Sequence, residues 1–330
     1  TREDVAKSRA WLEAAVADAE SEPQKARARL LLRAFEYYEA SCLAYLGDAR
    51  ARDITLATRA DALHLLRLGE EVLSMAEKRH RLVNEEFAEH PVLRHPIPPR
   101  RALDGAAWGA AGVWRLAEWV ERDGDVRARV AALATDSESK NVRAAAQGLL
   151  LAGDDARPIV SSNPGFELGD GAQAESWSFW TAENKGAITR DPQAARRGNM
   201  GLLCRGVVRG GPHNTVPVTP GRYAAVAWLR VPKTLKGGAE IELCMTWRNA
   251  RGENLAGAPS ATIHPRQGDW QPITLFADVP ETAENQKIAQ VLLLVFLRNL
   301  DPDDVVYLDD VRMCRVGGAN ENRPAAASGG

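Results

Sequence analysis

Cysteine, histidine, methionine and aromatic residues are all sparse in this chain. Of 330 residues four are Cys, six His and four Met, and 6% are aromatic. Cys42, Cys204, Cys244 and Cys314 have no metal-ligand spacing, which excludes a thiolate metal framework. Cys42 falls in a helical stretch and the other three in expected strands. They are either buried free thiols or, in an exported protein, include a Cys204–Cys314 bridge. The histidines His64, His80, His90 and His95 do not stand at i, i+4 beside a glutamate, so there is no HExxH zinc site. There is also no GxSxG, no P-loop and no GxGxxG opening a helix. Net charge is −2, with 42 basic against 44 acidic residues interspersed, and nothing invites nucleic acid. No apolar run reaches the ~18–20 residues of a membrane span; Gln290–Leu297 is apolar, but a buried strand explains it. No leader peptide is visible, yet the first residue is Thr1 rather than Met. The sequence therefore reads as a processed or excised piece of something longer.

What remains divides into two materials, as a prior of about 150 residues per domain suggests. Residues 1–157 are rich in Ala, Arg, Leu and Glu at helical periodicity and read as an α-helical bundle. A first helix over Thr1–Ser21 carries Val5, Leu12, Val16 and Ala19 on one stripe. Pro23 suits the first turn of a second, which is expected to stop at Gly47. A third over Asp53–Glu89 is ended by His90-Pro91. Shorter helices follow at Gly105–Arg122, Asp125–Ala134 and Glu138–Leu151, and residues 153–158 form the linker. Helices joined by short turns pack as an up-and-down bundle. Glu70-Glu71 and Glu85-Glu86 are adjacent positions that do not converge on a helix, so they read as a solvated face and not as catalytic acids. Trp108, Trp114 and Trp119 read as core or domain interface.

Residues 158–318 read as a β-sandwich, with 319–330 a disordered tail. Short runs of Val, Ile, Trp, Tyr and Leu recur between Gly, Pro, Asn and Asp clusters. Strands are expected near Ser176–Thr181, Gly186–Thr189, Met200–Val207, Asn214–Val218, Gly221–Val231, Glu240–Arg248, Trp270–Ala277, Gln290–Arg298 and Val305–Val316. In Tyr223–Leu229 and Ile241–Trp247 the side chains alternate, so one face of each strand lies on the core and the other is open to contact.

Two phrases frame the sandwich: Asn163-Pro164-Gly165-Phe166-Glu167 opens it and Tyr307-Leu308-Asp309-Asp310-Val311 closes it. If first and last strands are neighbours, Glu167 meets Asp309 or Asp310 and the carboxylates hold a structural Ca²⁺. Asp191 is then a third ligand and the Arg196–Asn199 loop supplies carbonyls. Otherwise they are acidic turn ends that never meet.

The ordered set NPGFE, WSFW, GNMGLL, TPGRYAAVAWLR, GDWQPITL and VYLDDV resembles the carbohydrate-binding modules of families 4, 9 and 22, which are jelly-roll sandwiches, over residues 159–317. The stretch Ala26–Leu46 with the later helices and His90-Pro91 resembles the helical region after the catalytic barrel in large bacterial glycoside-hydrolase-like proteins. Together the resemblances imply a non-catalytic, extracellular or periplasmic piece of such a protein, with the barrel missing. The partner they imply is a polysaccharide. Sugar modules stack aromatic faces on pyranose rings and hydrogen-bond the hydroxyls. Trp177, Trp228 and Trp270 are expected to be structural. Trp180 and Trp247, beside polar residues at strand ends, are expected to be exposed platforms. Arg248, Glu242 and Arg298 are candidate polar contacts. In Arg209-Gly210-Gly211-Pro212, Arg209 stands where the family 22 pattern has a stacking tryptophan. Either the ligand differs, such as an acidic glycan met by Arg205, Arg209 and Arg248, or the module no longer binds. The alternative to a glycan-binding module is a purely structural domain that packs on the missing barrel.

Overall fold

The computed structural model describes residues 1–96, 110–153, 159–236, 238–263, 265 and 267–316. Pro98, Pro99, Trp108, most of the expected linker and the expected tail at 319–330 lie outside the described residues. The chain divides into two compact units, Thr1–Leu150 and Leu151–Gly330.

The first unit is helical: α1 (Arg2–Ala17), α2 (Glu22–Asp53), α3 (Arg59–Arg81), α4 (Ala110–Val113), α5 (Ala117–Arg122), α6 (Gly124–Asp136) and α7 (Lys140–Ala152). Capping boxes open the first three: Thr1 with Asp4, Ser21 with Gln24, and Thr58 with Asp61, each satisfying amides that the helix itself leaves unpaired. Two sequence boundaries move. α2 does not stop at Gly47 but runs on to Asp53, because that glycine is buried against α3 and not at a helix end. The third helix starts at Arg59, not Asp53, and passes into one π-turn at Leu82–Glu86, where the Phe87 amide reaches the Leu82 carbonyl. α1 buries no residue completely and is tied down by ion pairs, Arg2 to Glu71 at 2.6 Å and Arg9 to Glu39. Glu70, Glu71 and Glu86 pair with different arginines, Arg129, Arg2 and Arg33. Trp119 is buried. No helix among the described residues is long and apolar enough to cross a membrane.

The second unit is a β-sandwich. Its strands are β1 (Gly169–Asp170), β2 (Gln173–Ala174), β3 (Ser178–Thr181), β4 (Ala187–Asp191), β5 (Gly201–Arg205), β6 (Arg209–Pro217) and β7 (Gly221–Arg230). They continue as β8 (Glu240–Arg248), β9 (Ser260–Ile263), β10 (Gln271–Val279), β11 (Thr282–Ala283), β12 (Gln286–Lys287), β13 (Gln290–Arg298) and β14 (Val305–Arg315). Two five-stranded antiparallel sheets carry the core, in the orders β10-β7-β14-β5-β4 and β3-β6-β13-β8-β9. Alternate residues of facing strands meet between them, including Tyr223, Ala225, Ala227 and Leu229 from β7 and Ile241, Leu243, Met245 and Trp247 from β8.

Two expectations change here, and one open choice closes. Arg209–Pro212 is the start of β6 and not a loop. Pro212 costs one ladder hydrogen bond there, opposite Phe179 of the four-residue edge strand β3. The outer side of β7 is closed: Ala224, Val226 and Trp228 are all fully buried, and the Arg196 guanidinium lies 3.5 Å from the centre of the Trp228 ring. Cys204 and Cys314 are buried thiols that form no disulfide. Cys204 faces Val306 across the β5–β14 ladder, and Cys314 is eight residues further along, roughly 27 Å at strand rise, beyond disulfide reach.

β14 also carries one extra residue against β7 between Asp309 and Arg312, with Asp310 at φ 47°. Core-facing positions accordingly switch from Val306 and Leu308 to Val311 and Met313.

Candidate functional site

The outer face of the β3-β6-β13-β8-β9 sheet is the candidate surface. Because side chains alternate, the residues out of phase with the core define it. Trp180 of β3 lies beside Gly211 of β6, and Phe296 of β13 lies beside Glu242 of β8. Trp180 is 44% exposed and stacks on Phe296 with ring centroids 6.2 Å apart and planes at 24°. The strip between the rings is bare because Gly211 has no side chain. None would fit, since a Cβ there would meet the Val295 carbonyl oxygen at 1.8 Å. Arg298 lies over the far side of the platform, 4.6 Å from the Phe296 ring centre, and donates to Glu242 at 3.2 Å. Glu240 is its second carboxylate, at 3.8 Å.

One row along, Ser178, His213, Leu294, Cys244 and Ser260 cross the sheet. Burial, followed by the charge on Arg248, holds the His213 imidazole below its ordinary range. The Cys244 thiol is pushed up to about 12 by burial and then by Glu242, so it is no nucleophile at neutral pH. A depression of ≈ 490 Å³ beside this row is lined by Ser162, Ser176, Trp177, Ser178, His213, Asn214 and Thr215.

The four expected ligand contacts do not gather at one place. Trp180 and Arg209 share one end of the face. Arg248 is at the other, opposite Gln290 and bonded through Nε to Asn254 at 2.8 Å. Trp247 is 4% exposed and belongs to the core, so it is no platform. Its polar neighbours suggested exposure, but it is in phase with Ile241, Leu243 and Met245, and phase decides. Arg205 lies in β5, on the other sheet. Trp177 and Trp228 are buried, while Trp270 is half-buried beneath the cation of Arg230. Phe296 escaped notice because the run QVLLLVFLR is apolar throughout and hides its period.

The framing phrases do come together. Val160 donates to the Met313 carbonyl and Val311 to the Pro164 carbonyl, each at 2.8 Å, so the opening segment runs beside β14. Asn163 ties the turn through Leu168 and Glu175, and Phe166 buries its ring edge-on to Trp177 with centroids 5.0 Å apart. Arg190 clamps the same turn by donating to the carbonyls of Phe166, Glu167 and Gly169. Glu167 and Asp309 then flank Gly165. A Cβ built on that glycine lies 3.7 Å from Asp309 Oδ1 and 3.8 Å from Glu167 Cγ.

Each carboxylate is already an acceptor of main-chain N–H groups. Glu167 Oε1 takes Asn199 at 2.8 Å and Met200 at 3.1 Å; Asp309 Oδ2 takes Arg196 at 2.6 Å and Arg197 at 2.9 Å. Asp310 pairs with Arg196 at 2.9 Å, and Asp191 caps a short turn by accepting from Gln193 at 2.7 Å. Burial pushes the Asp309 carboxyl up to about 7, the behaviour of an anion short of compensating charge. Among the described residues no three His, Cys, Asp or Glu side chains converge on a metal-sized point. The donor chemistry fits a hard cation only if carbonyls or water complete the shell around Glu167 and Asp309.

No protein-family model and no curated protein matches the chain. Solved structures do. A family 61 carbohydrate-binding module (TmCBM61) in complex with β-1,4-galactotriose is 16% identical, with 48% of this chain matching 99% of that one at a TM-score of 0.34. The CBM22-1 xylan-binding domain of Paenibacillus barcinonensis Xyn10C is 17% identical, covering 50% of this chain and 99% of that one at 0.33. The enzymatically active domain of bacteriophage CBA120 tailspike protein 4 is 12% identical, covering 48% and 21% at 0.38. The sandwich assignment itself rests on the strand order and core given above. Chemically, the outer face offers an aromatic pair edged by an arginine and a carboxylate that hold each other in place.

Proposed function

We propose that the sandwich is a non-catalytic glycan-binding module. The helical unit is then a spacer within a larger exported glycoside-hydrolase-like protein. The observation that carries this is Trp180, exposed and stacked on Phe296 across a bare strand, with Arg298 and Glu242 held in place at the platform's edge. An exposed ring backed by a second ring costs little entropy to present to a pyranose face, and an anchored ion pair donates and accepts without reorganising. The likeness to carbohydrate-binding modules is consistent with that reading.

Titration calorimetry against a panel of neutral and acidic polysaccharides tests it. Trp180→Ala should cost about 1–3 kcal/mol of binding free energy. No heat with any member of the panel, or unchanged affinity in Trp180→Ala, would leave the structural reading in its place. One observation favours that second reading: with Trp247 buried, Trp180 is the single exposed aromatic ring among the described residues of the sandwich.

We also propose a structural Ca²⁺ between Glu167 and Asp309, with carbonyls of the 196–199 loop completing its shell. In that role the ion would compensate the buried Asp309 carboxylate and brace the opening turn against β14.

A further inference from the structure

We propose that the outer face selects glycans carrying an anionic substituent, a carboxylate or a sulfate, received by the guanidinium of Arg209 next to Trp180; this rests on the glycan-binding reading. Arg209 and Arg298 are direct partners across the β6–β13 ladder, and both point outward because their neighbours Gly210 and Leu297 are also partners and Leu297 is in the core. Like charges directly opposite one another in a sheet are unfavourable. Arg298 is committed to Phe296, Glu240 and Glu242. Arg209 is exposed and has no carboxylate partner among the described residues.

An anion placed between the two forks removes that repulsion and makes charge-assisted hydrogen bonds with the free one. Position fits as well. Trp180 is opposite Gly211, and Arg209 lies two residues back along β6, about 7 Å at strand rise. β3 ends at Thr181, so nothing on that strand flanks Arg209. A sugar ring on Trp180 would therefore bring its own acidic group, or its neighbour's, to the arginine pair. Glu240 and Glu242 lie on the far side of β13 and meet such an anion only across Arg298.

The test titrates the full chain with two matched pairs: polygalacturonate with its carboxyl-reduced form, and dextran sulfate with dextran. The acidic member should bind more tightly, and the pair that shows the difference tells carboxylate from sulfate. Arg209→Gln should weaken the acidic polymer about 3–10-fold, the scale of one partly exposed charge-assisted contact, and leave the neutral one unchanged. Arg205→Gln, an exposed arginine of the opposite sheet, should change neither. Equal binding of both members, or equal losses in the two variants, overturns the charge selection while leaving glycan binding intact. Absence of binding to all four polymers, and to the wider panel, overturns both.

Discussion

Gly47 of α2 faces Val72 of α3 so closely that a Cβ added to the glycine would lie 2.6 Å from Val72 Cγ2. The position tests which of two effects is larger. Gly to Ala inside an exposed helix is worth about 1 kcal/mol in its favour, whereas overpacking a core costs about 1–3 kcal/mol. Valine is β-branched and stiff, so it cannot swing aside cheaply. Gly47→Ala should therefore lower stability, and Gly47→Ala with Val72→Ala should recover the part due to the clash. A more stable single variant in urea titration would show that the helices separate freely.

Trp247→Ala should destabilise the sandwich by about 3–5 kcal/mol, the range for emptying a large core site. Under conditions where the variant remains folded, glycan affinity should match the parent. A variant of unchanged denaturation midpoint would mean that Trp247 is not the core residue its 4% exposure indicates.

For the proposed ion, added Ca²⁺ should raise the thermal midpoint and a chelator should lower it. An ion present at a hundred times its dissociation constant contributes about 2.7 kcal/mol. Glu167→Gln keeps an acceptor for the Asn199 and Met200 amides but removes the charge, so the Ca²⁺-dependent shift should disappear. An equal shift in variant and parent places the ion elsewhere.

His213 gives a pH signature. Its folded-state pKa is depressed, first by burial and then by Arg248. Between that value and the unfolded reference near 6.5 the unfolded chain binds more protons, so stability rises with pH there. It is full above about 6.5 and is lost as pH falls below it. The difference in denaturation midpoint between parent and His213→Gln, measured from pH 5 to 7.5, should carry that slope. A flat difference would mean that the imidazole titrates normally.

Much of the sandwich was legible because its strands are bounded by glycine and proline turns, and β8 and β13 fall where the pattern puts them. Strand β9 was missed because SATI is short and follows a loop rich in Gly and Pro. The first half of β6 was hidden by its own Gly-Gly-Pro, which signals a turn locally but is overruled by pairing on both sides. Gly47 misled in the same way, since a helix-ending residue and a close-packing residue look identical in a sequence. At the candidate site, the approach of the opening segment to β14 followed from strand adjacency, and it puts Glu167 and Asp309 on either side of Gly165. The burial of Trp247 followed from phase, which its polar neighbours disguised.

The extra residue in β14 has a consequence for how the gene can change. Val306 and Leu308 point inward before it, and Val311 and Met313 after it. Removing Asp310 would restore a strict alternation in which Val311 and Met313 fall in step with Val306 and Leu308, so the inward-facing set survives the loss. A one-codon deletion there costs the Asp310–Arg196 pair but leaves each core residue on its own face. Survivors of random single-residue deletion along β14 should accordingly gather at 310, where the strand already carries one residue more than its partner.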